Sequence, residues 1–203
     1  MLEIDGLCFG FAQRTLFSDF SARLGAGVTL VRGGDGRGKT TLVRLLAGAL
    51  PPDQGEVRLN GISLRAQPAL YRQQVFWVDP QTDACDQISA LAYFKTVQAA
   101  YPGFDAAQVP ALTEGLSLTP HLEKPMYMLS TGSRRKVWLA AAFASGAALT
   151  LLDGPFAALD KPSITYVLQM LHDAARHPAR IWVVAHYEGL GSVPLAVTVD
   201  LGD

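Results

Sequence analysis

Apolar residues recur in two ways along this chain. Short unbroken runs, Val28-Thr29-Leu30-Val31, Leu149-Thr150-Leu151-Leu152 and Ile181-Trp182-Val183-Val184, are what strands buried on both faces require. Other stretches have helical spacing. Over 40–50, Leu42, Leu45, Leu46 and Leu50 fall on one side, and Pro51-Pro52-Asp53 stops that helix. Residues 162–176 predict a second helix. Residues 2–11 alternate in places, and 15–24 predict a second strand ending at the Gly25-Ala26-Gly27 turn. The segment 56–61 predicts a hairpin strand running into an Asn60-Gly61 turn. Residues 75–78 predict a buried strand closed by Asp79-Pro80, and 196–201 a last one. From 88 to 145 the pattern is mostly helical, broken at Pro102-Gly103, Pro110, Pro120 and Pro125. Strands separated by helices predict an α/β fold with a mostly parallel sheet. Trp77, Trp138, Trp182, Met126 and Met128 read as packing residues.

Composition narrows the functional classes. The 203 residues are 49% hydrophobic, which suits one domain with room for a small inserted subdomain. A net charge of −1 gives no global field for nucleic acid or an anionic membrane surface. Arg32, Arg37, Lys39 and Arg134-Arg135-Lys136 are local basic spots that suit a small anion. Cys8 and Cys85 stand far apart without a metal-binding or redox spacing, as expected of unpaired thiols in a reducing compartment. The N-terminal segment has no secretory pattern, and no apolar run approaches the ~20 residues of a membrane span. A cytoplasmic chain is expected, with any membrane role exerted through a partner.

The sharpest chemical signal is Gly33-Gly34-Asp35-Gly36-Arg37-Gly38-Lys39-Thr40. It fits the G-x-x-x-x-G-K-[ST] pattern between an apolar strand and a helix. In such a loop backbone N–H groups of Gly33, Gly34, Gly36 and Gly38 can curl around phosphate oxygens, helped by the positive end of the following helix. Lys39 supplies charge to the β- and γ-phosphates, Thr40 offers a hydroxyl to Mg²⁺, and Thr41 joins them as a nucleotide contact. Asp35 and Arg37 put charges beside the phosphate path, and both side chains are expected to point outward. An acid at the end of a buried strand, Asp153, is a costly placement unless it is paired or binds a metal. It reads either as a Mg²⁺ ligand beside Thr40 or as a cap for the next helix. ATP and Mg²⁺ are the expected cofactors.

Further pieces carry a family resemblance. Leu129-Ser130-Thr131-Gly132-Ser133 resembles the LSGGQ signature of ATP-binding-cassette (ABC) ATPases, with Thr131 for glycine and Ser133 for glutamine. Ala157-Ala158-Leu159-Asp160 resembles their D-loop, Gln81 their Q-loop glutamine and His186 their switch histidine. The resemblance spans nearly the whole chain and looks most like small bacterial exporter ATPases of the haem-exporter type. It implies one domain over 1–203. Residues 1–26 and 55–65 would form an antiparallel β subdomain. Residues 27–54, 66–81 and 146–203 would form the nucleotide-binding core, and 82–145 a helical subdomain carrying the signature.

The resemblance also implies roles. Two such domains close head to tail on ATP, so Ser130 and Gly132 would meet the γ-phosphate held by a partner's loop, with Asp160 alongside. His186 would bond the γ-phosphate in cis, and Gln81 would sense Mg²⁺ and link to the transport partner. Phe11, or Phe9, would stack on adenine, although either position also suits core packing. Gln81 and His186 taken alone read as a loop glutamine and a strand-end histidine. The family's catalytic glutamate position is held by Gly154, which predicts impaired or slow hydrolysis; Asp79 and Glu188 are the candidate substitute bases. The implied partners are a second cassette, as homodimer or heterodimer, and an integral membrane transporter subunit at the inner face of the cell membrane. Nucleic acid is not expected. The alternatives are an ATP-dependent protein-binding switch without transport, a nucleic-acid-associated ABC ATPase and a P-loop kinase. The last leaves the signature, the D-loop and His186 unexplained.

Overall fold

The computed structural model describes residues 1–177 and 179–202. Two sheets organise it. The first is antiparallel and holds β1 (Leu2–Phe11), β2 (Arg14–Leu24), β4 (Gln54–Leu59) and β5 (Ile62–Ser63), in the order β2-β1-β4-β5. The Asn60-Gly61 pair turns β4 into β5 with φ of 52° and 82°, the positive values that a two-residue hairpin turn requires. The second sheet is parallel. It holds β3 (Gly27–Arg32), β6 (Val75–Phe76), β7 (Leu149–Asp153), β8 (Ile181–Ala185) and β9 (Leu195–Asp200), in the order β6-β7-β8-β3-β9.

The unbroken apolar runs are the central strands of the parallel sheet, covered on both faces. Trp182, Val184 and Leu152 point to one side with Val28 and Leu30, where they pack beneath the long helical segment. Ile181, Val183, Leu149, Leu151 and Val31 point to the other side, against α1 (Lys39–Leu46) and the antiparallel sheet. Period-two alternation thus survives inside runs that contain no polar face. A short α2 (Pro68–Arg72) leads into β6.

The helical stretch resolves into α3 (Ala90–Ala100), α4 (Val109–Gly115) and α5 (Thr131–Ala144), with one 3₁₀ turn between α3 and α4 and two between α4 and α5. Pro110 does not break this stretch but sits in the first turn of α4, where a missing N–H costs nothing. The last helix, α6 (Lys161–Ala174), starts one residue earlier than its pattern. Helix α1 stops at Leu46, short of residue 50, because Gly48 takes a left-handed φ of 69° and the N–H groups of Ala49 and Leu50 return to Arg44 O. Strand β6 ends at Phe76 and not at 78. Met128 is 59% exposed, so it is not the packing residue its neighbours suggest, whereas Met126 is fully buried. No helix among the described residues is long and apolar enough to cross a membrane.

Candidate functional site

The parallel order brings distant segments to one edge. Asp153 ends β7 directly beside Ala185 of β8, and Ala185 in turn pairs with Val31 of β3. The loop 33–38, Asp153 and His186 therefore leave adjacent strands at their carboxyl ends, where open α/β sheets bind ligands. His186 is tied to this edge by its backbone N–H, which donates to Val31 O at 3.0 Å. Gln81 follows β6 on the far side of β7.

Within the loop, Lys39 Nζ donates to Gly33 O at 2.6 Å and Gly34 O at 2.8 Å, so the ammonium spans the loop it follows. Asp35 and Arg37 are both exposed, and Asp35 borders the cavity beside the loop. Beside the loop lies a cavity of about 340 Å³, bordered by Lys39, Thr40 and Thr41 on one side and Phe11 on the other. Phe11 is 60% exposed and stands edge-on to Phe9, whose own exposure is 7%. Of the two aromatics, only Phe11 offers a free face to a planar ring.

The Asp153 carboxyl lies close to the Thr40 hydroxyl. Burial raises the Asp153 carboxyl above its ordinary value, and the Thr40 hydroxyl, Arg135, Arg44 and Lys39 pull it back down. A half-buried carboxylate held against a threonine hydroxyl at a phosphate loop is a fitting pair of hard oxygen ligands for Mg²⁺. Gln81 is exposed, with its N–H donating to Asp79 Oδ1 at 3.0 Å. Asp79 is further engaged by Arg44 at 3.1 Å.

Gly154 adopts φ +53°, and its N–H donates to Ala185 O at 2.9 Å. A Cβ added there would meet nothing closer than Arg135 Nη1 at 4.0 Å. The position has room for a side chain and lacks one. Gly154, His186 and Glu188 border a shared cavity of about 390 Å³. The His186 ring packs on Phe156 at 5.0 Å and Tyr187 at 4.5 Å. Burial lowers its pKa below 6.5, Lys39 adds to that, and Glu188 opposes it. The imidazole is therefore neutral at neutral pH and carries both a donor and an acceptor.

The signature segment lies against the D-loop. Ser130 caps α5 by accepting from Ser133 N at 3.1 Å, and its hydroxyl also donates to Ser133 Oγ at 3.0 Å. A Cβ on Gly132 would stand 2.3 Å from Ala158 O, so only glycine lets this loop lie on the helix. Asp160 pairs with Lys136 at 2.6 Å and caps α6 through Ser163 N at 2.9 Å. Those bonds hold its carboxyl well below the usual range. Among the described residues, no hydrogen bond joins Ser130, Gly132 or Asp160 to the phosphate loop of the same chain.

Sequence reading missed Arg135. Its guanidinium donates to Gly154 O and sits near Asp153. The Arg134-Arg135-Lys136 run was the available signal, but only the turn of α5 separates its members: Arg134 pairs with Asp86 at 3.0 Å, and Lys136 with Asp160. A separate groove of about 450 Å³ near Pro51 and Pro68 holds none of these groups.

Comparison with known proteins agrees with this geometry. The family described as ABC transporter matches residues 18–157. The chain is 35% identical over 184 residues to the cytochrome c biogenesis ATP-binding export protein CcmA 2 of Salmonella paratyphi A, covering 89% of this chain and 85% of that protein. It is 31% identical to the CcmA protein of Pseudomonas syringae pv. syringae, over 93% of this chain and 89% of that one. Among solved structures, an ATP-binding subunit of an ABC transporter superposes with a TM-score of 0.80 at 24% identity, covering 91% of this chain and 79% of that one. A dimeric bacterial ABC transporter cassette superposes at 0.79 and 16% identity, covering 99% and 95%. The chain belongs to the ABC transporter family, as an ATP-binding subunit.

Proposed function

We propose that this subunit closes on ATP as a dimer, drives a separate membrane subunit in export, and hydrolyses ATP slowly. The observation that carries the slow step is Gly154, an open position beside Asp153 that brings no carboxylate of its own to take a proton from water. Loss of a positioned base lowers a rate by about 10²–10⁴-fold while leaving binding intact. The division into β subdomain, core and helical subdomain belongs to the same reading.

The chain's own residues divide the work. Lys39 and the loop N–H groups bind and orient the phosphates, with Thr41 beside them, and Phe11 stacks on the base. Thr40 and Asp153 would hold Mg²⁺, with Gln81 brought in from its exposed loop; the ion supplies charge neutralisation on the phosphate oxygens. His186, kept neutral by burial, donates to the γ-phosphate. Ser130 and the N–H groups at the start of α5 approach the γ-phosphate of the opposing copy, which suits a segment that makes no bond to its own loop. Asp160 ties that helix to the D-loop. Export rests on the cytochrome c biogenesis relatives, which are named ATP-binding export proteins; a peripheral place on the inner face of the cell membrane follows from pairing with a membrane subunit.

Lys39→Ala tests the site. Equilibrium binding of Mg-ATP is expected to weaken at least 100-fold, with loss of a charge-assisted contact and of the loop's geometry. Light scattering is expected to show ATP-dependent dimers for the wild type alone, with the second cassette in a heterodimer as the other arm. Unchanged affinity in Lys39→Ala overturns the assignment.

A further inference from the structure

The nucleotide cavity has a cation that no phosphate-loop pattern contains. Arg14 opens β2, and its Cα pairs across the hairpin end with that of Phe11. The hairpin thus presents an aromatic face and a guanidinium side by side. Both border the cavity that also holds Lys39 and Thr40. Arg14 Nη1 lies 3.5 Å from where a Cβ of Gly36 would stand, against the crown of the loop. Arg14 makes no ion pair among the described residues, although Asp35 borders the same cavity. Left alone, Asp35 would repel a polyphosphate. A guanidinium against the same loop offsets it, and a planar fork suits two phosphate oxygens.

We propose that Arg14 is a nucleotide-binding residue that grips the phosphate chain of a nucleoside triphosphate from the hairpin side, opposite Lys39. This rests on the ATP site described above. Phe11 is placed to meet the base and the loop to meet the terminal phosphates, so Arg14, between them, meets the chain that joins the two.

The test is displacement of a fluorescent ATP analogue by ATP and by inorganic tripolyphosphate, for wild type, Arg14→Ala, Arg14→Lys and Lys39→Ala. Arg14→Ala is expected to weaken both displacers about 10- to 100-fold, the range for a charge-assisted pair. Arg14→Lys is expected to recover part of that loss. An exposed side chain with no partner leaves the melting temperature unchanged. Equal binding by wild type and Arg14→Ala overturns the assignment alone. A loss confined to ATP that spares tripolyphosphate also overturns it, because the arginine would then read base or ribose. A wild type that binds neither probe overturns the nucleotide site and the arginine assignment together.

Discussion

Gly132→Ala adds one methyl group where the signature helix meets the D-loop, and the structure predicts that two effects will compete. Alanine favours a helix over glycine by up to about 1 kcal/mol, less in the first turn, where Gly132 stands. Against this, the new Cβ would lie 2.3 Å from Ala158 O, where ordinary contact begins at 3.4 Å. The obstacle is backbone and cannot rotate away. Ala158 already holds a left-handed φ of 60°, and its loop is pinned two residues on by Asp160, through Lys136 and Ser163. Overpacking of this kind typically costs 1–3 kcal/mol, so the clash outweighs the helix gain and leaves a net loss of about 1–2 kcal/mol. For a chain of this size that lowers the melting temperature by about 2–8 °C. Calorimetry of wild type and variant measures it, with the Asp160→Ala background as a second arm. There the loop is freer to move and the penalty should shrink. A Gly132→Ala protein that melts at or above the wild-type temperature refutes the reasoning.

Two further outcomes follow from single side chains, one at the opposite end of the parallel sheet from the site and one within the site. Arg180 sits under the sheet, its guanidinium donating to the carbonyls of Ala142, Phe143 and Ala147 and stacking 4.6 Å over Trp182. Burial lowers its pKa to about 10, so it stays charged at neutral pH. Arg180→Leu should cost about 3 kcal/mol and lower the melting temperature by about 6–12 °C, measured by calorimetry; an unchanged transition contradicts it. His186 should titrate below 6.5 in imidazole NMR, because burial disfavours its cation. Its folded pKa lies below the unfolded one, so its stabilising contribution is complete above 6.5 and is lost as pH falls through the folded value. A midpoint at or above 6.5 contradicts the placement.

Much of the site was legible because its parts are local. The phosphate loop, the Ser130 cap and the run ending in Asp153 each declare themselves in a few consecutive residues, and the parallel sheet follows from apolar runs too uniform for one exposed face. What was not legible depends on contacts between segments. The pairing of Phe11 with Arg14 is set by hairpin register. The reach of Arg135 to Gly154 O is set by the rotation of α5. Asp160 and Lys136 meet only because α5 lies beside the D-loop. The exposure of Met128 beside buried Met126 depends on a single 3₁₀ turn, which has no apolar period to read. Strand β6 fell short for a related reason: its pairing with β7 stops at Phe76 and Thr150, a contact between segments, and Asp79 beyond it is held by Arg44 of α1.

The central claim of the proposal is that the missing carboxylate at position 154 limits hydrolysis. Steady-state release of phosphate from Mg-ATP by Gly154→Glu and by wild type, under conditions where both are dimeric, tests it most directly. The left-handed φ of +53° costs a glutamate about 1–2 kcal/mol of stability, but the surrounding space accepts its Cβ. The account predicts turnover at least about 100-fold above wild type with ATP affinity little changed. Turnover equal in the two proteins, or a wild type already as fast as the variant, contradicts it.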